Sequence, residues 1–234
     1  MGFRKTQSSI RINAIAAFTQ AKTYLEVGVS EGDTFFNVDI KHKVAVDPYF
    51  QFDYMQYQTD STILHQIPSD EYFIHHAEGQ KFDIIFLDGL HTFEQTFRDF
   101  CNTQCVAHDK TIWLIDDTVP SDIYSAHTIS SEAIALRSLE TKNVSGLWHG
   151  DVYKTIFAIA DFFPMFSYCT SEEPGYEQTF VYKRPVRHFT PLFNNLEAIS
   201  RLEYFDFFKR KNHLKLMPLE DCLNKIMMNH QSYS

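Results

Sequence analysis

The chain of 234 residues is 44% hydrophobic and 22% charged, with a formal net charge of −9 at pH 7. That balance suits one α/β-sized core with extensions and excludes an intrinsically disordered chain. The acid excess carries no basic stripe, which excludes nucleic acid and anionic membrane as natural partners. The longest apolar stretch, residues 156–166, is broken by Asp161 and Pro164 and is too short to span a bilayer. Cys101, Cys105, Cys169 and Cys222 lack Cys-x-x-Cys or zinc-ligand spacing, so a reduced, cytoplasmic protein is expected.

Residues 8–21 have apolar side chains at helical spacing behind serines that read as caps. A strand follows at Tyr24-Leu25-Glu26-Val27, then a glycine-bearing loop and a helix start near Asp33. Residues 43–47 read as a second strand stopped by Pro48. An aromatic loop (49–59) leads to a weaker third strand near 63–67, and Ser69 stands as N-cap of a short helix. The run Phe82-Asp83-Ile84-Ile85-Phe86-Leu87 is a buried strand of the parallel type, stopped at Asp88-Gly89 and followed by a helix over 92–106. Residues 111–115 form a fifth strand, ending in Asp116-Asp117.

The second half is less regular. Residues 121–139 have helical composition, 142–150 read as a loop, and a helix opens at 151–154 and ends at Pro164. Strands at 166–170 and 178–183 flank a turn at Glu172-Glu173-Pro174-Gly175, and 196–230 read as helices, the last starting at Pro218. Strands alternating with helices at this interval argue a doubly wound, mostly parallel sheet.

In such sheets chemistry sits outside the carboxyl ends of the strands. Glu26-x-Gly28-x-x-x-Gly32 puts glycines at a strand-to-helix turn, where a ligand can approach the backbone. The spacing differs from the dinucleotide fingerprint, and by itself it is also that of an ordinary turn. Asp47, about 20 residues on, ends the second strand where an acid can accept both hydroxyls of a ribose. Asp88 and His91 stand at the end of the fourth strand. An unperturbed imidazole can take a proton from a hydroxyl near neutrality; the bland alternative is a histidine that only bonds a loop.

Taken together, residues 24–35, Val46-Asp47-Pro48-Tyr49, Ser69-Asp70-Glu71-Tyr72-Phe73, residues 82–93 and Asp117-Thr118-x-Pro120 resemble class I S-adenosylmethionine-dependent methyltransferases, more narrowly the set called methyltransferase domain 24. Residues 148–154 are similar to a Trp-x-Gly-Asp-Val-Trp-Lys stretch of that group. The resemblance covers 24–120 well and the rest loosely. It implies a Rossmann-like, doubly wound, mostly parallel seven-stranded sheet with an antiparallel last strand and added terminal helices. The corresponding divisions are residues 1–22, a cofactor-binding domain over 23–184, and a helical extension over 185–234.

The resemblance also implies S-adenosylmethionine as cofactor. Glu26, Gly28 and Gly32 would shape its methionine side, Asp47 would hold the ribose, Ser69 and Asp70 would lie beside the adenine, and Asp88 would face cofactor and acceptor. His91 matches a general base at Asp-x-x-His spacing, and Asp88, Asp116 and Asp117 match a divalent cation site. Three carboxylates suit Mg²⁺ better than zinc. Relatives carry His-Asp where this chain has Asp116-Asp117. The expected activity is O-methylation of a small hydroxylated acceptor such as a sugar or glycan intermediate. A hydroxylase-like enzyme on the same fold and a non-catalytic cofactor-binding protein are rival readings, and a homo-oligomer is left open.

Overall fold

The computed structural model describes residues 2–173 and 177–231. Five strands, β1 (Thr23–Val27), β2 (His42–Val46), β3 (Thr62–His65), β4 (Ile84–Leu87) and β5 (Ile112–Ile115), are parallel. β6 (Phe166–Ser171) and β7 (Thr179–Lys183) complete the sheet, with β7 antiparallel to both β5 and β6. The two-residue β8 (Leu216–Met217) extends the edge, in the order β3-β2-β1-β4-β5-β7-β6-β8.

The seven expected strands are present, with β7 as the antiparallel one; β8 is an eighth. It lies within the stretch expected to be helical. Lys215, left-handed at φ 55°, stops the preceding 3-10 turn and brings Leu216 beside Thr170 of β6.

β4 and β5 are buried along their whole length because helices cover both faces of the sheet. The two-residue period divides their side chains. Ile85, Leu87, Trp113 and Ile115 enter one core with α3 (Ser69–His75), α4 (Phe93–Asn102) and α6 (Tyr153–Phe162). Ile84, Phe86, Ile112 and Leu114 enter the other, shared with α1 (Gln7–Thr19), the single turn α2 (Asp33–Phe36) and α9 (Leu219–Gln231). The remaining helices are α5 (Ser130–Thr141), α7 (Leu196–Ser200) and α8 (Tyr204–Arg210). No helix among the described residues is long and apolar enough to cross a membrane.

Three local expectations are corrected. The cap of α1 is Thr6, whose hydroxyl accepts from Ser9 N while the Ser9 hydroxyl accepts from Thr6 N, a reciprocal box one turn earlier than expected. Ser69 is not a cap: Pro68 precedes the helix, and the Ser69 hydroxyl donates to the Asp99 carboxylate instead. Helix α5 begins at Ser130, not 121. Asp122 and Ser125 bond each other's backbone N–H groups, which satisfies 122–125 as a turn. Of the turn expected at 172–175, Pro174 and Gly175 lie outside the described residues.

The aromatic loop 49–59 is neither an open pocket wall nor a bare surface. Phe52 and Tyr57 pack on Phe36, and Phe3 stacks on Phe36 at 4.1 Å. Phe50 is buried against Phe52; Tyr49 and Met55 are the exposed members.

Candidate active site at the strand ends

The carboxyl ends of β1, β2 and β4 open into a cavity of about 730 Å³. Glu26, Gly28, Asp47, Ser69, Asp70, Asp88 and His91 line it. Gly32, Asp116 and Asp117 are not among its lining residues. Gly32 serves the turn: its φ is +82°, and a Cβ there would meet the Phe36 ring at 2.9 Å. Gly28 has φ +88°, and a Cβ there would lie inside the van der Waals envelope of the Asp88 carbonyl. Its lack of a side chain lets the ends of β1 and β4 touch.

The acids of the cavity differ in setting. Glu26 is fully buried; loss of solvent raises its pKa well above the carboxylate range, opposed by the hydrogen bond that Tyr24 Oη donates to Oε2 at 2.6 Å. Asp47 accepts from Val29 N and Ser30 N on Oδ2 (2.7 and 2.9 Å) and from Tyr49 N on Oδ1 (2.7 Å). It therefore braces the glycine loop from the end of β2. Asp70 is turned outward and pairs with Arg98 at 3.2 Å.

Asp88, His91 and Asp117 converge. His91 Nε2 lies 3.5 Å from Asp88 Oδ1 and Nδ1 lies 2.9 Å from Asp117 Oδ2. Burial alone would lower the His91 pKa. The hydrogen bonds to Asp117 and Asp88, with the charges behind them, outweigh it and push His91 up to about 11. That direction favours the protonated ring, whereas a general base needs the neutral imidazole. Loss of solvent pushes Asp88 up to about 6, moderated by His91.

Ligand atoms of Asp88, His91 and Asp117 all lie within 4.8 Å of one another, so these three could hold a cation among the described residues. Asp116 is not in the cluster. Its Oδ2 accepts from Gln178 Nε2 at 2.8 Å and its Oδ1 from Asp117 N at 2.8 Å. Asp117 is left-handed at φ 58°, and this turns the two adjacent carboxylates to different partners.

The segment 148–151 closes the far side of His91. Trp148 stacks on its ring at 4.8 Å and is held by its own indole N–H on the His127 carbonyl at 2.6 Å. His149 is 5% exposed, and burial lowers its pKa; its Nε2 stands 3.9 Å from Asp117 Oδ1. Asp151 Oδ1 accepts from Phe93 N at 2.7 Å, and Oδ2 pairs with Lys154 Nζ at 2.8 Å in the interior. Removing one partner of such a pair is costly. Asp151→Ala is expected to destabilise the fold by about 3–5 kcal/mol, read as a fall in the denaturant midpoint. A change below about 1 kcal/mol would show that Asp151 does not anchor Phe93 to Lys154 of α6.

Sequence reasoning missed Asp99, Gln95, Trp148 and His149 as contributors. Asp99 had a signal: it shares the buried face of α4 with Phe93, Thr96 and Phe100, where an acid is out of place.

Residues 25–118, which run from within β1 to just past β5 and include the cavity residues named above from Glu26 on, match the family model described as a methyltransferase domain. Over this segment the chain is similar to that family. Solved structures agree on the fold around it. An O-methyltransferase from Bacillus cereus in complex with SAH is 14% identical, covering 77% of this chain and 81% of that one at a TM-score of 0.53. Cofactor-bound Rv0187 from MTB is 13% identical over 80% and 83%, at 0.55. SAH-bound PaMTH1, a methyltransferase from Podospora anserina, is 14% identical over 76% and 78%, at 0.54. No curated protein matches the chain. The matched segment thus accounts for the strands that build the cavity, whereas Trp148, His149 and Gln178 come from outside it.

Proposed function

We propose that the chain binds S-adenosylmethionine in the strand-end cavity and transfers its methyl group to a hydroxyl oxygen of a small acceptor such as a sugar or glycan intermediate. The observation that carries this is the Asp88–His91–Asp117 cluster at the edge of a cavity shaped by Gly28 and Asp47 within a methyltransferase domain. In this reading residues 23–184 form the cofactor-binding unit, with 1–22 and 185–234 added to it. Glu26 and Gly28 flank the methionine side, Asp47 the ribose and Ser69 the adenine, while Gly32 supports the turn.

Methyl transfer from a sulfonium is an in-line displacement: the new O–C bond forms as S–C breaks, leaving a neutral thioether. Alignment of the acceptor oxygen with the methyl group supplies much of the rate. The His91 cation is placed to stabilise the negative charge that develops on that oxygen. Asp88, held near pKa 6 beside it, takes the proton. Asp117 holds His91 charged and aimed, and Trp148 fixes the plane of its ring. A divalent cation such as Mg²⁺ held by Asp88 and Asp117, whose oxygens suit a hard ion, would take the place of the His91 charge, with the imidazole neutral, and would supply Lewis acidity instead.

The pH profile follows from these roles. The acceptor proton needs an ionised Asp88, so kcat/KM rises with pH through about 6 and levels off above it. A profile flat between about pH 5 and 8 would remove Asp88 from the proton's path. The activity itself is tested by incubating the protein with methyl-deuterated S-adenosylmethionine and a panel of hydroxylated sugars. Mass spectrometry should find the labelled methyl on one of them. Oxygen uptake with an unmethylated product would replace this reading by a hydroxylase.

A further inference from the structure

His65 and His76 lie outside the strand-end cavity and take no part in the chemistry proposed there. His65 is the last residue of β3, the edge strand of the sheet. His76 follows α3, where its N–H bonds the Tyr72 carbonyl at 2.8 Å and closes the helix. The two side chains meet with ring centroids 4.7 Å apart and planes tilted by 37°. Neither ring makes a hydrogen bond or ion pair among the described residues. His76 is exposed and His65 half-buried, so an ion can reach the pair from solvent. Loss of solvent, with His76 beside it, holds the His65 pKa below its ordinary value, which leaves that ring neutral near neutrality.

Packing sets both ends of the pair. Tyr72 is fully buried, and its ring stands 5.2 Å from that of His65. Gln80 accepts from the Tyr72 hydroxyl at 3.2 Å and donates to the His76 carbonyl at 2.6 Å. The backbone of His76 is thus held against the side chain that flanks His65, and the pair is assembled before any ligand arrives.

The spacing of the rings carries chemical meaning. An imidazole bound through nitrogen at about 2.0–2.1 Å keeps its centroid about 3.2 Å from the ion. Two rings sharing one ion at about 90–110° therefore have centroids about 4.5–5.2 Å apart. The His65–His76 separation of 4.7 Å falls inside that range, whereas His75 stands 6.4 Å from His76 and falls outside it. Imidazole nitrogen suits Zn²⁺, Ni²⁺ and Cu²⁺, while Mg²⁺ and Ca²⁺ prefer oxygen.

We propose that His65 and His76 are the protein ligands of a cation site of the Zn²⁺ class, with water in the remaining positions. The bound ion ties the end of β3 to the end of α3, the helix that begins with Ser69 and Asp70 on the cavity wall. The site is separate from the Asp88–His91–Asp117 cluster and does not depend on what the cavity binds.

Calorimetric titration of the full chain with Zn²⁺ tests this, in an excess of Mg²⁺ to occupy oxygen ligands. The wild type should bind Zn²⁺ at this site more tightly than about 100 μM. In His65→Ala and in His76→Ala that affinity should fall by at least about 10-fold, since losing a ligand costs no less than losing a group that orients one. His75→Ala should keep it. Zn²⁺ should also raise the melting temperature of the wild type more than that of either ligand variant. Two ligand variants keep the test readable if one fails to fold. Zn²⁺ binding unchanged in both would place the ion elsewhere and overturn the assignment. So would an equal loss in His75→Ala, or a wild type that binds no Zn²⁺.

Discussion

His91→Ala is expected to lower kcat by about 10²–10⁴-fold while changing S-adenosylhomocysteine affinity far less. The size follows from the position of the ring, which lies between Asp88 and Asp117 and faces both. Its removal takes away the cation that faces the developing oxyanion and leaves two carboxylates without a positive group between them. The residual activity carries a second signature. His91 holds the Asp88 pKa down from where loss of solvent and Asp117 would put it. Without His91 the Asp88 pKa rises, so the acid limb of the kcat/KM profile should move above about 6. Steady-state kinetics over pH, with calorimetric binding alongside, checks both. Wild-type kcat in the variant would mean that the cluster is structural.

Gly28→Ala should act through the fold. A Cβ at this residue would overlap the Asp88 carbonyl, and φ +88° disfavours any side chain. Backbone strain and overpacking each cost about 1–3 kcal/mol. Together they should depress the melting temperature by about 5–15 °C for a domain of this size. Cofactor affinity should fall too, because the end of β4 carries Asp88 and must move. Gly79→Ala is the internal comparison. Its φ is +76°, but nothing lies within 4 Å of the added Cβ, so only the strain is expected. Equal effects at the two glycines would show that the contact between β1 and β4 is not what Gly28 serves.

Much of this arrangement was legible in the sequence because it depends on local signals. The apolar run before Asp88 gave β4, and Thr92, whose hydroxyl accepts from Gln95 N, gave the start of α4. Once strand and helix are fixed, Asp88 and His91 must stand at the strand end. Gly28 and Asp47 follow from the same logic one and two strands away.

What escaped depends on contacts between distant segments. Asp116 and Asp117 are neighbours in sequence, yet the left-handed Asp117 sends one carboxylate to His91 and leaves the other to Gln178, just before β7. No spacing rule contains that division. His149 reaches Asp117 because Gly150, at φ +61°, packs on the backbone of His91. The charge on His91 was hidden for the same reason, since it needs both carboxylates in place. The cap of α1 was misplaced because serine at N3 can mimic the acid of the usual box, and a run of Thr6, Ser8 and Ser9 offers several equivalent starts.

The central claim is that the strand-end cavity is an S-adenosylmethionine site. Titrating the purified chain with S-adenosylmethionine in a calorimeter tests it most directly, with Asp47→Ala as the paired variant. The claim predicts saturable binding at one site per chain in the wild type, and affinity at least about 10-fold weaker once the carboxylate that braces Val29 and Ser30 is gone. An absence of binding heat in a folded wild type, at cofactor concentrations up to about 1 mM, would contradict it.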